Sequence, residues 1–154
     1  MRGFSLIPAL AAIPVLLLAL HSLTLATANL QYHYLATEIS FWSRPDYTPS
    51  DATRAEVLQA TQTLAQQAPA PDYLSLAALN QRWEWYFTGE KHFAEQAIAY
   101  QLQALEQRPA SIQGWDLMLE YGQVLPDGEA YREQAEQRLA QLQKHPLAGG
   151  SQPR

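Results

Sequence analysis

The hydrophobic positions of this chain form one long run near the amino terminus and shorter, interrupted groups after it. Arg2 is the only charged residue before Glu38, and residues 6–20 are almost wholly apolar. Residues 4–28 built as a helix would measure roughly 37 Å, enough to cross a hydrocarbon core of about 30 Å. The pattern therefore predicts a transmembrane helix within residues 1–30.

Two interpretations of this segment are open. It is either an uncleaved signal anchor or a cleavable signal peptide whose A-x-A site is Ala26-Thr27-Ala28. The length of the apolar stretch favours the anchor. In both cases the positive-inside rule keeps Arg2 in the cytoplasm. We therefore expect a single pass through a bacterial inner membrane, with the soluble part in the periplasm.

Residues 31–49 are expected to form a juxtamembrane helix and a linker. Four aromatic residues cluster just beyond the apolar run: Tyr32, Tyr34, Phe41 and Trp42. Such residues either hold a helix at the membrane interface or contact a partner. Two prolines within residues 44–49 then predict a break in regular structure.

Five segments rich in helix-forming residues follow, separated by breaks that contain proline or glycine, and none alternates in the manner of a strand. Together they make residues 50–146 an all-α domain, and residues 147–154 are expected to be a flexible tail. Thr88-Gly89 and Gly122 are predicted to end the second and fourth helices. The predicted helices run from Ser50 or Asp51 to Gln67, Asp72 to Phe87, Lys91 to Gln107, Ser111 to Tyr121, and Asp127-Gly128 to Lys144.

The spacing of small residues and prolines in this domain is typical of tetratricopeptide-like hairpins. Ala104 follows Ala97 by seven residues, Pro109 follows after five more, and Trp115 lies six beyond the proline. Such hairpins bury their apolar faces only by stacking on one another. The predicted fold is all-α: an amino-terminal transmembrane helix followed by a short tetratricopeptide-like array of helical hairpins that contains about five helices.

Composition and charge exclude several kinds of chemistry. The net charge of -5 provides no basic surface for nucleic acid, and the absence of cysteine excludes thiolate chemistry. The four histidines lie in separate segments, and no nucleotide-binding or nucleophile motif occurs. Glu84, Glu90 and His92 flank one turn, where they form either an acid–base group or, as we favour, a solvated helix end. We therefore expect no metal, no cofactor and no enzymatic activity.

The most unusual local feature of the sequence is a cluster of four aromatic side chains within residues 83–87. Trp83 and Trp85 lie about 200° apart on a helix, so they cannot share one face. Either both are buried because the helix lies between two others, or one lies in a groove and stacks on a sugar ring or a partner helix. The candidate partner groove consists of Trp85, Tyr86, Tyr100 and Tyr121.

One block of residues, at about residues 70–120, has a more specific pattern. It consists of Pro71, Asp72, Tyr73, Leu74, Arg82, Trp83, Glu84, Trp85, Ala97, Tyr100, residues 104–109 (Ala104 to Pro109) and Trp115. This block, with the overall order of anchor and helices, resembles the VpsP-type polysaccharide biosynthesis proteins, which are small, membrane-anchored and tetratricopeptide-like, although Trp83 stands where we would expect tyrosine. The resemblance implies a role in exopolysaccharide biosynthesis and assigns no catalytic residue.

Taken together, these features favour a membrane-anchored, non-catalytic periplasmic scaffold that assists exopolysaccharide biosynthesis or export. Its expected partners are envelope proteins, chiefly polysaccharide synthesis or export subunits, and the membrane through residues 4–28. Two alternatives are open: a scaffold of another envelope machine, such as a pilus, secretion or cell-wall complex, or a module that binds polysaccharide directly.

Overall fold

The computed structural model describes the backbone of residues 7–144 and the side chains of residues 13–144. The predicted tail and His145 lie outside the described residues. Over residues 7–144 the chain forms six helices and no strand, which confirms the all-α prediction. The helices are α1 (Ile7–Phe41), α2 (Asp51–Gln67), α3 (Pro71–Thr88), α4 (Lys91–Gln107), α5 (Ile112–Val124) and α6 (Glu129–Lys144).

Helix α1 joins the predicted anchor and the predicted juxtamembrane segment in one continuous helix of 35 residues. It is long and apolar enough to cross a membrane. Every side chain from Ile13 to Thr27 is exposed, whereas beyond that point one side of the helix is buried. That buried side, formed by Ala28, Leu35 and Ile39, packs together with Trp42, directly after the helix, against apolar side chains of α2 and α3.

The six helices pair as three hairpins that stack side by side. The second half of α1 packs on α2, α3 packs on α4, and α5 packs on α6, while α2–α3 and α4–α5 contacts join neighbouring hairpins. The first hairpin therefore uses the continuation of the apolar helix as its first member. A helical hairpin array is confirmed, and its tetratricopeptide register stays a prediction.

Local signals set most helix ends where the sequence predicts them. The hydroxyl of Ser50 accepts a hydrogen bond from the amide of Thr53 at 3.1 Å and caps α2. Pro71 occupies the first turn of α3, and Gly89 ends that helix in the left-handed conformation, with φ of 73°. Ser111 caps α5 in the same manner as Ser50 caps α2.

The prediction that Gly122 ends α5 is wrong, because the helix continues to Val124. Gly122 is needed for packing instead. A Cβ atom at this position would lie 2.5 Å from the backbone nitrogen of Arg132 in α6 and 2.7 Å from its Cα. The absence of a side chain therefore lets the two helices of the third hairpin approach closely.

Candidate functional site

Helices α1, α3, α4 and α5 line a groove that we call the inner groove. Its walls include Tyr32 and Ala36 of α1, Leu79 of α3, Gln101 of α4 and Leu117 of α5, and it encloses about 300 Å³. The groove is thus shared by all three hairpins. A surface of this kind can hold a segment of a partner protein.

An ion pair closes one edge of the inner groove. The guanidinium of Arg108 donates to both carboxylate oxygens of Asp72, at 2.7 and 3.3 Å. Beside it, the side-chain amide of Gln107 donates to the carbonyl of Pro69 at 2.8 Å. Both side chains of the ion pair are exposed, so the pair orients the start of α3 against the end of α4 and adds little stability, about 0–1 kcal/mol.

Four further residues of the block at about residues 70–120 lie at contacts between helices: Tyr73, Ala97, Ala104 and Trp115. Ala97 and Ala104 are buried where α4 meets α3, which agrees with small residues at a close approach. The Trp115 indole is buried and donates to the carbonyl of Pro109 at 2.9 Å, which fixes α5 relative to the end of α4. Tyr73 packs its ring against Tyr32 of α1, with centroids 5.4 Å apart.

A second concave site, the aromatic pocket, lies at the other end of α3. Trp42, the loop of residues 43–48, and the aromatic side chains of residues 83–87 line a space of about 560 Å³. The ring of Trp83 stacks on that of Phe87 at 5.8 Å and meets that of Tyr86 edge-on at 5.5 Å. The Trp42 ring approaches Phe87 at the same 5.8 Å.

The four residues of the predicted partner groove do not lie in one groove. Trp85 and Tyr86 line the aromatic pocket, but Tyr100 and Tyr121 do not. Tyr121 is 0% exposed because it packs among side chains of α3 and α4, so its placement in a groove wall is wrong. Tyr100 is half-buried between the clusters that join α3 and α4. Burial raises the pKa of both tyrosines above its ordinary value.

Trp83 and Trp85 point to different sides of α3, as their spacing predicts. Trp83 packs against the α1 side together with Phe87, and Trp85 packs against the cluster of α4 and α5. Both rings are half-buried because α3 lies between other helices. The most exposed ring of this group is that of Tyr86, at 70%.

Glu84 is buried, so its assignment to a solvated helix end is wrong. Its carboxylate accepts a hydrogen bond from Arg54 of α2 at 3.2 Å, while Glu90 pairs separately with His92 at the exposed start of α4. Burial raises the pKa of Glu84, although the Arg54 guanidinium opposes that shift. The helix-end acid–base grouping therefore does not form.

Other buried polar groups were not predicted from the sequence. The Asn80 amide donates to the Thr61 hydroxyl at 2.9 Å between α2 and α3, and the Gln101 amide donates to the Gly114 carbonyl at 2.9 Å between α4 and α5. Their positions could have been found only by asking whether α3 and α4 are enclosed on more than one side. These hydrogen bonds fix the register of neighbouring hairpins.

Among residues 13–144, no group of three or more His, Asp or Glu side chains is placed to hold a metal ion. The two concave sites present aromatic rings, guanidinium groups and amides to a ligand.

No protein-family model, curated protein or solved structure matches this chain.

Proposed function

We propose that this protein is a membrane-anchored, non-catalytic periplasmic scaffold that assists exopolysaccharide biosynthesis or export through protein–protein contacts. The observation that carries the proposal is the continuity of α1, which runs without a break from an exposed apolar segment into the first hairpin. An array built on such a helix is held at a fixed height and angle relative to the membrane.

The dimensions of α1 support this arrangement. Residues 7–27 would measure roughly 31 Å as a helix, against a hydrocarbon core of about 30 Å, and every side chain from Ile13 to Thr27 is exposed. The inner-groove residues of α1 lie between Tyr32 and Ser40, roughly 8 to 20 Å above that segment. The groove is therefore within reach of the juxtamembrane segment of a partner in the same membrane.

The orientation and the pathway rest on the sequence. Arg2 at the amino terminus favours a cytoplasmic amino terminus and a periplasmic array. The block of residues 70–120 resembles VpsP-type proteins and thereby favours exopolysaccharide machinery as the partner. Three residues of that block, Ala97, Ala104 and Trp115, make contacts that hold neighbouring helices together.

Site-directed cross-linking in cells tests the proposed groove. Because the chain has no natural cysteine, a thiol-reactive label attaches to this protein only at the introduced residue. Gln113→Cys places a thiol on the inner groove, and Gln59→Cys, on the exposed side of α2, is the matched control. Each thiol would carry a photoreactive label. We expect Gln113→Cys alone to capture membrane-bound glycosyltransferase, polymerase or export subunits.

Other outcomes would contradict parts of the proposal. Capture of pilus, secretion or cell-wall components would assign the scaffold to another envelope machine. Unchanged exopolysaccharide output after deletion of the gene would refute the pathway. An alkaline phosphatase fused after the final residue should be active if the array is periplasmic, and an inactive fusion of normal abundance would refute that orientation.

A further inference from the structure

The aromatic pocket places a guanidinium without a counter-ion among the described residues beside aromatic rings. Two arginines, Arg44 and Arg82, are among the described residues that line it. Arg82 is paired with Glu120, and the Glu38 carboxylate accepts a hydrogen bond from Tyr47 of the pocket wall, so Arg44 supplies the cation that is free to bind. A guanidinium beside aromatic rings suits an anionic group attached to an apolar ring face.

The aromatic wall of the pocket consists of rings that pack against one another. Tyr86 is 70% exposed, yet its ring is held edge-on against Trp83 and Phe87, with centroids 5.5 Å away in each case. Trp42, the residue directly after α1, contacts the rings of Trp83 and Phe87. A ring held in this way offers a large contact area at little cost in conformational entropy.

The loop that forms the opposite wall is also fixed. The Glu38 carboxylate accepts hydrogen bonds from the Trp42 indole at 3.2 Å and from the Tyr47 hydroxyl at 2.6 Å, so both ends of the loop are attached to α1. Between them, the Arg44 guanidinium lies 4.2 Å from the centroid of the Phe41 ring. In the described part of the chain Arg44 makes no ion pair within 4.0 Å.

Arg82 completes the cationic side of the pocket. Its guanidinium lies 5.7 Å from the centroid of the Trp83 ring and 2.8 Å from the carboxylate of Glu120, an interaction that fixes its position. A planar guanidinium binds a carboxylate through two parallel hydrogen bonds. Arg44, which makes no ion pair with any residue that the structure describes, is the group available to a ligand.

We propose that the aromatic pocket binds the uronate units of an acidic polysaccharide, with the sugar ring against Tyr86 and Trp83 and its carboxylate on Arg44. The carboxylate-bearing ring follows from the pocket, whereas its origin in a polysaccharide rests on the proposed function. Such a site gives the scaffold a direct hold on the polymer, separate from the protein contacts of the inner groove.

The test is a binding titration of the full chain in detergent micelles, followed by intrinsic tryptophan fluorescence. Polygalacturonate is the probe, dextran is the neutral control, and polyglutamate is the acidic control that lacks a sugar ring. We expect polygalacturonate to bind most tightly, dextran not to bind, and added salt to weaken binding.

Two variants locate the site. Arg44→Gln and Tyr86→Ala alter exposed side chains, so both should fold, and each should weaken polygalacturonate binding by about tenfold or more. Arg138→Gln, on α6, removes one positive charge away from the pocket and should bind as the unaltered chain does. Circular dichroism of each variant verifies that it is folded.

Three outcomes would overturn the proposal. These are no binding of polygalacturonate, equal binding of polyglutamate, and affinities that Arg44→Gln and Tyr86→Ala leave unchanged. Capture of a protein through a labelled Tyr86→Cys, with no polymer binding, would make the pocket a protein-docking surface. None of these outcomes bears on the groove cross-linking or the deletion phenotype, so failure here is distinguishable from failure of the proposed function.

Discussion

Replacement of Gly122 by alanine should destabilise the third hairpin even though alanine is the better helix former. The new Cβ atom would lie 2.5 Å from the backbone nitrogen and 2.7 Å from the Cα of Arg132. Backbone atoms cannot rotate away, so α6 would have to retreat by about 1 Å to restore an ordinary contact of roughly 3.5 Å. Gly128, directly before α6, lies close to the Gly122 backbone as well, so the same retreat would separate that contact.

The expected size follows from two opposing effects. Alanine in a helix interior gains about 1 kcal/mol over glycine. Overpacking a tight contact costs roughly 1–3 kcal/mol, and contacts with backbone belong at the upper end of that range. We therefore expect a net loss of about 1–2 kcal/mol in the free energy of unfolding, which for a domain of about 100 residues corresponds to a fall in Tm of roughly 4–16 °C.

Thermal unfolding of the full chain in a non-denaturing detergent, followed by far-UV circular dichroism, measures this loss. Gly114→Ala is the matched control, because its Cβ would meet the end of the Leu105 side chain at 2.8 Å and no backbone atom of another helix at closer range. Leu105 can change rotamer, so the control should lose less. A Tm for Gly122→Ala equal to or above that of the unaltered chain would refute the close-approach explanation.

Three further predictions concern the contacts between helices. Ala97→Leu should overpack the contact of α3 and α4 and cost about 1–3 kcal/mol in chemical denaturation, whereas Ala99→Leu, on the exposed side of α4, should change little; similar losses would contradict that contact. Because the pKa of Glu84 is raised, the folded state binds its proton more tightly. Stability should fall as pH rises from the ordinary value of 4.5 through the raised pKa, and Glu84→Gln should flatten this part of the Tm–pH profile; an identical profile would refute the assignment. Lys91 holds the pKa of Asp127 below its ordinary value, so their contact should stabilise the fold above pH 3.8 and be lost as pH falls through the lowered pKa. Asp127→Asn should remove that acid sensitivity, and 1 M salt should shrink its difference from the unaltered chain; a salt-independent difference would argue against an ionic origin.

Local sequence signals were sufficient for the helix ends that depend on neighbouring residues. Ser50, Pro71 and Gly89 act within one turn of chain, so their capping roles could be predicted without any knowledge of packing. Gly122 looks the same in sequence as Gly89, but its role depends on α6. A glycine that ends a helix and a glycine that admits a neighbouring helix cannot be distinguished from local spacing alone.

The candidate site shows the same division. The opposite directions of Trp83 and Trp85 follow from helical geometry and were predicted. The burial of Tyr121 and Glu84 was not, because α3 and α5 are enclosed by other helices on more than one side. Periodicity indicates which residues share a face, and it does not indicate how many faces of a helix are covered.

The long apolar helix, the all-α content and the breaks between helices follow from the amino-acid sequence, since they depend on hydrophobicity, helix propensity and capping over short stretches of chain. Three features depend instead on the packing of the helices: α1 serves also as the first helix of the array, Arg54 reaches Glu84, and the loop after Trp42 closes a pocket against Tyr86. Those contacts join residues about 30 or more positions apart, and their formation depends on how the hairpins stack.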